Sequence, residues 1–178
     1  TAAFAEKYWA VRVHDLQMVV DNIQEDTRTN TISSKERLFI NTLTPFLKEH
    51  AVVVYCEYKE VVERLKHILE NMSQLGVKQI FEITGSVPLK EREKVEKSIT
   101  NGTVVLVSSA GTESINLQKA DIEILYDVPF SVGVFIQFVG RITRMDSKFD
   151  KQEIHIIEAT GTSDSYRRLN LLVNGKLI

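Results

Sequence analysis

Short apolar runs rich in β-branched residues, separated by stretches of helical period, constrain this chain more than any other feature. AVVVY (51–55), KQIFEI (78–83), TVVLVS (103–108), IEILYD (122–127) and EIHIIEA (153–159) read as strands. The nearly continuous apolar character of the first and third suits strands covered on both faces. Between them, Val61, Leu65, Ile68 and Met72 recur at helical spacing, with Val62 and Leu69 beside them. Pro88 suits a helix start and Asn101-Gly102 the close of that segment. A helix is expected over 133–144. A last one is capped by Ser163 and stops near Asn174-Gly175. Alternating strands and helices joined by short loops predict an α/β fold: a mostly parallel sheet with helices on both faces. Such sheets carry their sites at the carboxyl ends of the strands.

Upstream, residues 34–49 read as a helix whose apolar contacts come from Leu38, Leu43 and Leu47, with a kink or break at Pro45. In residues 1–30, YWAVRV reads as a strand, DLQMVVDNI as a helix and QEDTRTNT as a loop.

A formal net charge of −2 excludes a basic nucleic-acid-binding tail while leaving local basic patches open. The single cysteine, Cys56, cannot form an intrachain disulfide, and at the end of a buried strand it reads as a core thiol. The four histidines lack metal-ligand spacing. No apolar run reaches the length of a membrane span, and no signal peptide is visible. The first residue is Thr1, so the chain is read as a piece of a larger intracellular protein, cytoplasmic in a bacterium or virus-infected cell, or nuclear.

QFVGRITR (137–144) asks for an explanation beyond core packing. At about 100° per residue, Gln137, Arg141 and Arg144 fall within roughly 60° of one another. Phe135, Phe138, Val139 and Ile142 fall on the opposite side. Gly140 leaves room for a ligand or another backbone. A charged stripe on a helix usually means a solvated face. Two guanidinium groups and a planar amide also match phosphate oxygens.

The surrounding residues favour the second reading. QFVGRITR resembles motif VI of superfamily-two helicases and translocases, Q-x-x-G-R-x-x-R. VSSAGTESINLQKAD (107–121) resembles their motif V, closest to the Swi/Snf-like form. VVVYCEYKEVVERL (52–65) resembles motif IV, and ITGSVPLKERE (83–93) the D-G-S-x-x-x-x-x-R segment after it. ATGTSDSYRRL (159–169) resembles the G-T-x-E-E segment of Swi/Snf-like motors. Several modest motifs in the correct order make a strong signal together. The resemblance implies the second, C-terminal RecA-like lobe of a nucleic-acid-dependent ATPase over residues 33–178. Residues 1–32 would then connect it to a first lobe.

Residue roles follow from the resemblance by position. Arg144 matches the arginine finger, Arg141 the second arginine near the phosphates, and Gln137 the link to the nucleotide or the facing lobe. Gly111 and Glu113 in motif V, with Gly140, are implied at the ATP site. Tyr58, Lys59, Gly85, Ser86, Ser108 and Ser109 are implied along the nucleic-acid backbone. Asn116 is expected to fix the motif V loop through its amide. Arg92, on one helical face with Val95 and Ile99, is expected to make a structural ion pair. ATP and Mg²⁺ would be bound mainly by the first lobe, because no phosphate-binding loop occurs in this sequence. NGKL (174–177) lacks the Ser or Thr and the upstream glycine. The lobe alone is therefore expected to be inactive. The chain departs from the family at Ser114 (usually Gly), Thr84 (commonly Asp) and Glu57 (often Gln). After motif VI it has MDS in place of the Ile-Gly-Gln of chromatin remodellers.

The expected function is one motor lobe of a DNA translocase or helicase, on duplex DNA without sequence preference and with the first lobe as partner. The alternative is a non-catalytic nucleic-acid-binding or protein-docking module that retains the fold. A flavodoxin-like regulator domain would explain the alternation but not the motif VI face.

Overall fold

The computed structural model describes residues 32–113, 115–142 and 152–175. The expectations for residues 1–30 and the positions of Ser114 and Arg144 lie outside them. The chain divides into two compact units, Thr1–Ser34 and Lys35–Ile178.

Five strands form one sheet: β1 (Val52–Cys56), β2 (Gln79–Ile83), β3 (Thr103–Ser108), β4 (Ile122–Leu125) and β5 (Glu153–Ile156). Their order is β2-β3-β1-β4-β5 and every pairing is parallel. All residues of β1 and β3 are buried, as their uninterrupted apolar sequences require, and they lie side by side with Val54 opposite Leu106. The edge strands β2 and β5 are only partly covered.

The helices are α1 (Ser34–Leu43), α2 (Lys59–Asn71), α3 (Leu89–Ser98), α4 (Val132–Ile142) and α5 (Ser163–Gly175). They cover both faces of the sheet. Val53, Tyr55, Val105, Val107 and Leu125 share a core with Ile99 after α3, Phe135 and Phe138 of α4, and Leu171 of α5. The alternate residues Val52, Val54, Val104 and Leu106 are equally buried but lie outside that core, on the opposite face of the pleat. There α2 packs along β1, β2 and β3, burying Val62, Leu65, Ile68 and Leu69. Phe39 of α1 meets the Tyr126 ring edge-on at 5.6 Å.

Several elements differ from their sequence readings for local reasons. The α1 helix ends at Leu43 and a 3₁₀ turn spans Thr44–Phe46, because Pro45 offers no N–H for a continuing helix. Its buried face is Phe39, Ile40 and Leu43, whereas Leu38 is 47% exposed. The β4 strand ends at Leu125: the Tyr126 N–H still bonds the Tyr55 carbonyl of β1 (3.0 Å), but the Asp127 N–H turns back to that same carbonyl (3.4 Å) and carries the ladder no further. The hydroxyl that caps α5 is that of Thr162, which accepts the Asp164 N–H at 3.2 Å. Ser163 is already the first helical residue.

Candidate functional site

The carboxyl ends of β2 and β3 build an open pocket of about 360 Å³, lined among others by Gly85, Ser86, Leu89, Arg92, Ala110 and Glu113. After β2 the chain turns at Gly85-Ser86 and enters α3, whose first residue, Leu89, lines the pocket. After β3 a 3₁₀ turn over Ser109–Gly111 brings the second loop against the first. A Cβ at Gly111 would lie 2.0 Å from the Ile83 carbonyl oxygen, so only glycine permits this approach. At Gly85 a Cβ would lie 3.1 Å from the Ala110 Cβ.

Arg92 locks this arrangement from beneath. It is 6% exposed. Its Nε donates to the Val87 carbonyl (2.9 Å) and its Nη2 to the Thr84 carbonyl (3.0 Å). Its Nη1 donates to the carbonyls of Gly111 (3.0 Å) and Glu113. The expectation of an ion pair is corrected: among the described residues the guanidinium is satisfied by main-chain carbonyls. Those carbonyls belong to both loops, and five forked donors suit such a junction better than a single carboxylate would. No carboxylate bonds the guanidinium among the described residues, so its charge can favour an anion in the pocket above, whose wall also includes Glu113. Asn116 behaves as expected. Its Oδ1 accepts the Gln118 N–H (3.2 Å), while its own N–H reaches Glu96 Oε1 (2.7 Å).

The α4 helix starts where Ser131 Oγ accepts the Val134 N–H at 3.2 Å. Phe135 and Phe138 face the core, and Phe138 packs against Tyr55 with ring centroids 4.9 Å apart. Gln137 and Gly140 are exposed and Arg141 is half-buried, so the polar face lies where the helical period puts it. No atom would obstruct a side chain at Gly140. The Arg141 carbonyl accepts the Leu117 N–H (3.1 Å), tying α4 to the segment that follows β3. The Arg141 Nε is buried and, among the described residues, has no hydrogen-bond partner. An orphan guanidinium donor on a helix that also presents an amide fits an anionic group such as a nucleotide phosphate.

The remaining expected residues fall in distinct settings. Tyr58 is 51% exposed and precedes α2. Lys59 pairs with Glu63 at 3.1 Å along that helix, and this hydrogen bond raises the pKa of its ammonium. Glu113 is exposed, and Ser86 is exposed with its hydroxyl 2.9 Å from that of Thr84. The Ser108 hydroxyl is buried, without a partner among the described residues, and lies below the open surface. Ser109 is half-buried. Tyr55 donates its hydroxyl to Glu57 (2.8 Å), and burial, with the Glu57 carboxylate, pushes its phenol far above the ordinary range. Burial likewise raises the Cys56 thiol, which is inert in the core.

One group escaped the sequence reading. Lys35 on α1 bonds Asp127 (3.0 Å) and Asp164 (3.2 Å), partners 92 and 129 residues away along the chain. No local pattern announces such a contact. The only hint was a lone aspartate closing the IEILYD run.

Known proteins share these features. The helicase conserved C-terminal domain family matches residues 34–146, more than half of the chain. The chain is 26% identical over 141 residues to the probable ATP-dependent RNA helicase ddx55 of Dictyostelium discoideum, covering 76% of this chain and 21% of that protein. It is 28% identical over 123 residues to the RNA polymerase-associated protein RapA of Haemophilus influenzae, covering 67% of this chain and 13% of that protein. The chain thus spans about a fifth or less of these relatives. In fold it is similar to the C-terminal part of the Fun30 ATPase domain, with a TM-score of 0.65 and 15% identity over 88% of this chain and 53% of that one. It is also similar to the Escherichia coli DEAD-box protein SrmB, with a TM-score of 0.59 and 19% identity over 81% and 78% of the two chains. Sheet order, motif-bearing loops and these similarities agree: the chain belongs to the helicase conserved C-terminal domain family and has the RecA-like fold of a second helicase lobe.

Proposed function

We propose that this chain is the second motor lobe of a nucleic-acid-dependent ATPase of the Swi/Snf-like kind. The observation that carries the reading is the polar face of α4, where exposed Gln137 neighbours Arg141, whose buried Nε has no partner among the described residues. A protein-docking module would have no use for an unsatisfied guanidinium donor, which costs free energy until an anion accepts from it. In this reading a first lobe presents ATP and Mg²⁺, and Arg141 with Arg144 neutralises charge developing on the transferred phosphoryl group. ATP would supply the driving force through hydrolysis at its terminal phosphate. This chain's part is to orient and stabilise, with Gly111 and Glu113 coupling the motif V loop to that event.

The pocket at Gly85 and Ser86 would hold a nucleic-acid phosphate. Backbone N–H groups at the start of α3 and the carbonyl-bound charge of Arg92 favour an anion there. Such contacts bind the backbone without reading sequence. We assign the track to duplex DNA. The test is ATP turnover by the full-length protein with duplex DNA, single-stranded DNA and RNA, for wild type and Arg144→Ala. Stimulation by duplex DNA that the substitution abolishes is expected. Stimulation by RNA alone would overturn the DNA assignment, and no stimulation by any of the three would overturn the motor reading.

A further inference from the structure

Three loops at the carboxyl edge of the sheet converge on one ammonium group. Lys35 Nζ bonds Asp127 Oδ1 at 3.0 Å and Asp164 Oδ2 at 3.2 Å, and lies 4.7 Å from the centroid of the Tyr126 ring. Each carboxylate also holds a backbone amide. Asp127 Oδ2 accepts the Glu57 N–H of the loop after β1 (3.0 Å), and Asp164 Oδ2 accepts the Ala159 N–H of the loop after β5 (3.3 Å). Asp127 itself lies in the loop after β4, five residues ahead of the first residue of α4. The side chains of Lys35, Asp127 and Asp164 are 23%, 15% and 10% exposed, so water screens them little. The α1 helix that carries Lys35 is anchored by Phe39 and by a buried bidentate pair of Glu36 with Arg64 (2.7 and 3.4 Å).

We propose that Lys35 is a positioning residue: by clamping Asp127 and Asp164 together it fixes the loops that launch α2, α4 and α5, and so sets the α4 helix that carries Gln137 and Arg141. The proposal rests on the motor reading for its effect on turnover, though not for its effect on the loops. Without the ammonium, two partly buried carboxylates face each other with no counter-charge, and repulsion must separate the loops. A displacement of about 1 Å at a catalytic group can cost on the order of 10²-fold in rate. Lys35 is also the first residue of the second compact unit, so in sequence it follows directly on the N-terminal unit.

The test compares Lys35→Met and Lys35→Arg with wild type in the full-length protein. Hydrogen exchange is read over the segments containing Glu57, Asp127 and Ala159. For Lys35→Met, exchange about tenfold faster there, with β3 unchanged, is expected. Nucleic-acid-stimulated kcat should fall about tenfold while KM for ATP stays within about twofold, and Lys35→Arg should recover most of both effects. A merely structural loss would lower the folded fraction, accelerate exchange throughout and leave no reason for arginine to rescue. Unchanged exchange at these loops, faster exchange with kcat intact, or failure of arginine to rescue would overturn the proposal. If wild type shows no stimulated turnover, the motor reading falls, and the exchange measurements alone decide whether Lys35 sets the loops.

Discussion

Gly111 and Ile83 meet backbone to backbone: a Cβ on Gly111 would sit 2.0 Å from the Ile83 carbonyl oxygen and 2.7 Å from its carbonyl carbon. The loop after β3 therefore rests directly on the end of β2, with no side chain between. Gly111→Ala must push these loops apart. The expected cost is at least about 3 kcal/mol, the upper range for overpacking a well-filled site. Thermal unfolding should report a fall of roughly 6–12 °C. By contrast Gly140→Ala, where nothing lies within 4 Å, should leave the melting temperature unchanged or slightly raised. Equal effects at both positions would contradict the packing argument.

Arg92 holds the same two loops by charge-assisted hydrogen bonds. Arg92→Met leaves the carbonyls of Thr84 and Gly111 without these donors, at about 1–3 kcal/mol each where water cannot enter. Denaturant titration should show a loss of at least about 3 kcal/mol, in line with the same principle. Arg92→Lys should recover less than half, because a single ammonium cannot span four acceptors arranged around a planar fork. Nucleic-acid affinity should weaken in both variants, more than affinity for ATP. Full rescue by lysine would show that charge alone matters there.

Glu123 gives a pH signature. It lies in β4 beside Val53 and Ile154, is 2% exposed, and its Oε1 has no hydrogen-bond partner among the described residues. Burial pushes its pKa from 4.5 up to about 8. The native state then keeps a proton that the unfolded chain releases above its own lower pKa. Stability is unaffected by this group below about pH 4.5, falls as pH rises by up to about 1.4 kcal/mol per unit, and carries the full penalty above about pH 8. Glu123→Gln removes the titrating proton. Its melting temperature should match wild type near pH 4.5 and exceed it by several degrees at pH 8.5. Parallel melting curves across that range would exclude the effect.

The fold was legible where residues report their own environment. The β-branched runs of β1 and β3 announce strands buried on both faces, and the periodic residues of α2 and α4 announce helices with one apolar side. Elements became illegible where their limits are set by distant partners. IEILYD looks like a strand through Asp127, yet the Asp127 amide doubles up on the Tyr55 carbonyl that already holds the Tyr126 amide, and the ladder stops. Leucine spacing suggested Leu38 for the core of α1, but Phe39 and Ile40 lie there instead, one residue round the helix. The face of α4 could be read because Gln137 and Arg141 are neighbours on one helix. Arg92 could be placed on a buried face, but not matched to acceptors on two other loops. Lys35 gave no signal, because its partners come from the far end of the chain.

The central claim is that α4 completes an ATP site, and Arg141 tests it most directly. ATP turnover by the full-length protein at saturating nucleic acid should fall about 10²-fold in Arg141→Ala, the scale for removing one donor to a developing charge. The melting temperature should hold within a few degrees, because the hydrogen bond that ties α4 to the segment after β3 uses the Arg141 carbonyl, which alanine keeps. Turnover within about twofold of wild type in a folded Arg141→Ala protein would contradict the account.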